Sequence, residues 1–115
     1  MTTLATSPES EFYMSGFHAL SDPLRIKVIE NLRSQEMCVC DLCELLSVSQ
    51  SKLSFHLRVL KDASLVRARP QGRWTYYSLN LPQFVMLEQY LSEFRRFSPI
   101  LPDRGLKVST ESPCP

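Results

Sequence analysis

The sequence predicts a mainly α-helical fold of five helices carrying one β-hairpin, and three observations lead there. Helical signals mark five separate stretches. Between Leu65 and Leu79 the apolar pattern changes from a period of 3.6 to a period of 2. A turn-forming Pro70-Gln71-Gly72-Arg73 then divides that stretch into two β-type runs, Leu65 to Arg69 and Trp74 to Leu79. With 115 residues there is room for one domain and one modest core, and 43% hydrophobic with 22% charged residues is an ordinary globular balance.

The first helix is expected from near Ser7, with Pro8 pre-set for a first helical position and Tyr13, Phe17 and Leu20 at i, i+4, i+7. The second is expected to be capped by Asp22, with Pro23 next and an apolar face of Leu24, Val28, Ile29 and Leu32. A short helix over about Asp41 to Leu46 follows Cys38-Val39-Cys40, and Ser47-Val48-Ser49 reads as a turn ending in a cap. The fourth helix, about Gln50 to Ala63, has Leu53, Leu57 and Leu60 within roughly 40° of one another on a helical wheel, which defines its core side. Gln50, Ser51, Ser54, Arg58 and Lys61 fill one continuous polar arc without a carboxylate, and Asp62 falls just beyond it. Phe55 and Val59 form a second apolar ledge, expected to pack on a neighbouring element.

Pro82 opens the last helix, in which Phe84, Leu87, Leu91 and Phe94 make a narrow seam of the kind used between helices. So short a chain leaves few neighbours to cover its first and last helices, so a dimer interface is their expected use. Residues 1–97 are expected to form a single domain that includes this dimer interface. Beyond Ser98 four of the eight prolines fall in eighteen residues, so 98–115 is expected to be a disordered tail.

The net charge of +1 conceals an asymmetry. Residues 1–46 hold three basic groups against seven acidic ones, whereas from Ser47 to Thr75 six basic groups face only Asp62. A phosphate backbone would select such a local excess. Helix, tight polar turn, amphipathic helix and basic hairpin, in that order, make a winged helix-turn-helix. The major groove admits one α-helix, whose exposed Gln, Ser, Lys and Arg side chains can reach base edges and phosphates. A hairpin tip carrying Arg73 can reach the flanking backbone or the minor groove.

Ala19-Leu20-Ser21-Asp22-Pro23-Leu24-Arg25 resembles the second-helix opening of the ArsR/SmtB family of metal-responsive repressors. Val48-Ser49-Gln50-Ser51-Lys52-Leu53-Ser54-Phe55-His56-Leu57 is similar to that family's recognition helix, and Gly72-Arg73-Trp74-Thr75-Tyr76-Tyr77-Ser78-Leu79 to its wing. The resemblance runs from about Phe17 to Phe97. It implies a homodimer on an inverted-repeat operator in double-stranded DNA, joined through the first and last helices. Ser49, Gln50, Ser51, Lys52, Ser54, His56, Arg58, Lys61 and Arg73 are the expected DNA-facing residues. Gln50, Ser51 and Ser54 would contact bases or phosphates and Arg73 would be the wing contact. His56 lies beside the core face of the wheel, where a structural histidine is at least as well accommodated as a DNA contact.

Cys38-Val39-Cys40-Asp41-Leu42-Cys43 matches the arsenical-sensing motif of the family's ArsR branch, in which three thiolates bind As(III) or Sb(III) as inducer. A soft ion with a stereochemically active lone pair takes three sulfurs in a pyramid, and thiolates exclude Mg and Ca. The start of a helix is expected to lower thiol pKa. On the wheel Cys40 and Cys43 are only about 60° apart, while Cys38 would lie roughly 140–160° from both. Either Cys38 precedes the helix and folds in, or the first turn unwinds. Capture there would disturb the first half of the DNA-reading unit, so release is expected rather than activation.

A zinc sensor would need His and carboxylate ligands on the last helix, but the histidines are His18 and His56. A cadmium or lead sensor would need cysteines before Cys38, and residues 1–37 hold none, although Cys114, otherwise a free tail thiol, could supply a fourth sulfur. A structural-zinc interaction module would want paired C-x-x-C spacing. No Ser-His-acid set, Gly-rich phosphate loop or paired-carboxylate signal points to an enzyme or to an organic cofactor. No apolar run reaches the ~18 residues of a membrane span and Met1 to Ser10 lacks a signal-peptide pattern, so a cytoplasmic address without membrane partners is expected.

Overall fold

A computed structural model describes residues 8–96 of the chain; the expected tail at 98–115, with Cys114, lies outside the described residues. The elements are α1 (Pro8–Ala19), α2 (Pro23–Asn31), β1 (Met37–Cys38), α3 (Val39–Leu46), α4 (Gln50–Asp62), β2 (Val66–Gln71), β3 (Trp74–Leu79) and α5 (Leu81–Arg96).

Helix α2 starts where its sequence directs. The Asp22 carboxylate Oδ2 accepts from the backbone N–H of Leu24 at 2.9 Å and of Arg25 at 3.1 Å, satisfying two N–H groups the helix cannot pair internally. Ser49 caps α4 in the same way, its Oγ accepting from Lys52 N at 3.2 Å. Helix α3 ends on Ser47 in the left-handed region (φ 55°), and the N–H groups of Ser47 and Val48 both return to the carbonyl of Cys43. That one carbonyl therefore anchors the turn between α3 and α4.

The core gathers Ala19, Val28, Leu32, Leu42, Leu53, Leu57, Leu60, Ala63, Leu65, Val66 and Leu87. It includes all three leucines expected on the inner side of α4. Removing one fully buried leucine side chain from water is worth ~1.5–3 kcal/mol, so these three fix the rotation of α4 about its axis. Helix α5 closes over α1: a Cβ at Gly16 would sit 3.0 Å from the Leu87 methyls, so a side chain there would displace Leu87 by a few tenths of an ångström. Tyr90 stacks on Tyr13 at 4.3 Å beside that contact.

The structure departs from the sequence expectations in several places. Helix α3 begins two residues early, at Val39, because Cys38 in extended backbone serves as its N-cap residue. Met37 and Cys38 form a short strand that the sequence pattern did not reveal, pairing antiparallel with Tyr77 and Tyr76 of β3. Two residues carry no readable alternation, and only the partner strand makes them a strand. The sheet order is β1-β3-β2, which puts β2 on an edge, where Pro70 is tolerated. The hairpin turn is tighter than expected: Gln71 pairs with Trp74, leaving only Gly72 and Arg73 between them. Gly72 takes the positive φ (64°) of a two-residue hairpin loop. Phe55 does not pack on a neighbouring element as expected but is 51% exposed, while Val59 packs against the core. The α5 seam splits. Phe84 and Leu87 face this chain's core, but Leu91 and Phe94 are 55% and 63% exposed.

Candidate nucleic-acid interface and thiol cleft

With α4 held by its leucines, Gln50, Ser51, Lys52, Ser54, Arg58 and Lys61 are all exposed on its outer side, as is Ser49, whose hydroxyl is already engaged as a cap. Arg73 is exposed at the hairpin tip. Among the described residues no ion pair engages Lys52, Arg58, Lys61, Arg67 or Arg73, so their charge is directed at solvent. Arg69 differs. Its guanidinium grips both carboxylate oxygens of Glu36 at 2.5 and 3.2 Å and lies 5.1 Å from the Tyr76 ring centre. Each partner stabilises the charged form of the other: Arg69 holds the Glu36 carboxyl below its ordinary value, and Glu36 raises Arg69. This pair ties the hairpin to the segment just before β1.

His56 stands apart from the exposed arc. It is 9% exposed, and its Nδ1 lies 2.9 Å from Nη1 of Arg25 and 3.8 Å from the Asp22 carboxylate. The ring faces α2 because it follows Leu53 by three positions and so shares the core side of α4. Arg25 is buried too, an arrangement that sequence reasoning missed. Its position among apolar residues of α2, four before Ile29 and three before Val28, was the available signal.

The cysteines occupy two environments. Cys38 is 7% exposed within β1, its backbone paired to Tyr76. Cys40 is exposed and Cys43 half-buried on α3. These two line an open cleft of about 510 Å³ together with Val39, Glu44, Val48 and Gln50, whereas Cys38 does not line it. Burial pushes the Cys43 thiol up, with a smaller contribution from Cys40, contrary to the lowering expected at a helix start. The reason is position, since Cys43 lies a full turn inside α3, past the free N–H groups of its first turn. Among the described residues no three His, Cys, Asp or Glu side chains are grouped to hold a metal ion. The donor chemistry fits a thiophilic ion at Cys40 and Cys43, and a three-sulfur site requires Cys38 to be brought together with them.

A short helix and a capped, cation-bearing helix across a three-residue turn, followed by a basic two-stranded wing, define a winged helix-turn-helix DNA-binding protein. The sequence profile of the bacterial regulatory proteins of the arsR family matches residues 22–68. Over 69 residues the chain is 45% identical to an arsenical resistance operon repressor of Bacillus subtilis (strain 168), covering 59% of this chain and 66% of that one. Over 63 residues it is 48% identical to a transcriptional repressor SmtB homolog of Synechocystis sp., covering 55% and 48%. The chain thus spans about half to two thirds of the length of these relatives. A crystal structure of a possible transcriptional regulator for arsenical resistance superposes with a TM-score of 0.64 at 32% identity, over 70% of this chain and 83% of that one. The chain belongs to the arsR family of bacterial regulatory proteins, which are transcription regulators and not enzymes. No helix of the described residues is long and apolar enough to cross a membrane.

Proposed function

We propose that this chain is a metalloid-responsive transcriptional repressor that binds operator DNA as a homodimer and is released when As(III) or Sb(III) is captured by Cys38, Cys40 and Cys43. The observation that carries this reading is the shared cleft: Cys40 and Cys43 open onto the same surface as Gln50, the first residue of α4. A bound trivalent metalloid would supply a soft centre that holds sulfurs in a pyramid. The chain's own residues supply the coupling. Cys38 is paired with Tyr76 in β1, so drawing its sulfur to the other two thiols pulls on the wing sheet. Cys43 carries the carbonyl that anchors the α3–α4 turn. Both the wing and the start of the reading helix are thereby attached to the thiol site. The exposed Leu91 and Phe94 on α5, with Met14 exposed on α1, provide the apolar surface for a second copy.

The test is fluorescence anisotropy of labelled operator DNA bound to the purified protein, with arsenite, zinc and cadmium titrated separately. Release by arsenite, blunted in Cys38→Ser, Cys40→Ser and Cys43→Ser proteins that still bind operator, is the expected result. Release by zinc or cadmium alone would assign the chain to a divalent-metal sensor instead.

A further inference from the structure

Cys40 and Cys43 form a C-x-x-C pair on one helical turn, both facing the cleft, with Cys40 exposed and Cys43 half-buried. Cys38 is kept out of that cleft by its place in β1. We propose that Cys40 and Cys43 are also a redox modification site, closing to an intrahelical disulfide when a hydroperoxide enters the cleft and lowering operator affinity without any part played by Cys38. The proposal rests on the repressor reading for its effect on DNA, but not on metalloid capture.

The chemistry balances with the peroxide as the sole oxidant. The exposed Cys40 sulfur attacks a peroxide oxygen: an S–O bond forms, the O–O bond breaks, and the other oxygen leaves with the thiol proton as water (as an alcohol from an alkyl hydroperoxide). The Cys43 sulfur then attacks the sulfenic sulfur of Cys40. The S–S bond forms, the S–O bond breaks, and the hydroxyl leaves with the Cys43 proton as a further water. Both sulfurs are oxidised by one electron each, and the peroxide is reduced by two.

The consequence for DNA follows from helix geometry. Side chains three residues apart on a helix have Cβ atoms about 5–6 Å apart, whereas a disulfide holds them at about 3.5–4.5 Å. Closure must therefore contract this turn of α3 by about 1–2 Å. The turn cannot move alone. The Cys43 carbonyl accepts the N–H groups of both Ser47 and Val48, so its displacement reaches the Ser49 cap and the orientation of Gln50. Oxidation thus acts on the mutual placement of the two helices that read DNA.

The experiment treats the reduced full-length protein with hydrogen peroxide, maps disulfides by mass spectrometry after thiol blocking, and measures affinity for an operator duplex selected from a random pool. The expected results are a Cys40–Cys43 linkage, an affinity loss of about tenfold, and recovery with dithiothreitol. Cys38→Ser should lose affinity on oxidation just as wild type does while its response to arsenite is blunted, and Cys40→Ser and Cys43→Ser should resist peroxide. Linkage through Cys38 or Cys114, or a Cys40–Cys43 bond that leaves affinity unchanged, overturns the proposal. Reduced protein that selects no duplex overturns the repressor reading and the affinity effect together, with the linkage map still deciding the chemistry. Arsenite without effect beside an intact peroxide response would remove the metalloid reading and leave this one standing.

Discussion

The guanidinium of Arg25 donates to the imidazole of His56 across 2.9 Å in the interior between α2 and α4. Arginine can only donate, so Nδ1 of His56 accepts and the ring carries its proton on Nε2. The same guanidinium donates through Nε to the carbonyl of Ala19 at 2.7 Å. One buried cation thus joins the end of α1, the start of α2 and the middle of α4.

His56→Ala should destabilise the fold by about 2–3 kcal/mol, since it leaves a buried charged donor without its acceptor. His56→Gln, which returns an acceptor, should recover much of that loss in urea denaturation. Equal operator affinity of His56→Gln and wild type would mark His56 as an internal residue. A selective loss of operator discrimination with full stability would return it to the DNA contacts.

Asp22 gives a pH signature. Backbone hydrogen bonding from Arg25, then from Leu24, with the nearby guanidinium charge of Arg25 adding to it, holds this carboxyl below its ordinary 3.8. A depressed carboxylate stabilises the fold above its unfolded-state value and ceases to do so as pH falls through the folded one. Asp22→Ala should therefore melt several degrees below wild type at neutral pH, with the gap closing only below about pH 3.8. A gap that persists unchanged in stronger acid would mean that the carboxylate charge is not what stabilises α2.

Arg73→Ala should weaken binding to every duplex and reduce the slope of log affinity against log salt by about 1, as for one lost phosphate contact. Gln50→Ala should instead lose ~1–3 kcal/mol of discrimination between operator and random DNA. If the two variants behaved alike, the division into a phosphate-contacting wing and a base-reading helix would be wrong.

Phe94→Glu should convert the protein to a monomer by light scattering at micromolar concentration. A charge would then replace the most exposed aromatic residue of α5 within the proposed interface, whose apolar centre would tolerate charge poorly. A wild-type monomer under the same conditions would remove the dimer from the proposed function.

The helices were legible because each carries its own start signal and apolar spacing: Asp22 and Ser49 cap where expected, and Leu53, Leu57 and Leu60 are buried together. What escaped the sequence depends on distant partners. Met37 and Cys38 become a strand only against Tyr76 and Tyr77, some forty residues on. Arg25 is buried only because Ala19 and His56 accept from it. The wheel placed Cys40 and Cys43 together and left Cys38 with two alternatives. The observed fold takes the first of these in part, with Cys38 ahead of the helix but paired into the sheet rather than folded toward the other thiols.

The edge position of β2 has a consequence for crowding on DNA. A repressor that gathers on neighbouring sites brings its hairpins close, and an open strand edge is a template on which another chain can zip into a shared sheet. Pro70 has no N–H to offer such a newcomer, and the exposed Arg67 on the same strand, in no ion pair among the described residues, repels an identical edge. Positive charge and a missing N–H thus make this edge unattractive to its own kind, and the wing can remain an open ribbon without seeding aggregation.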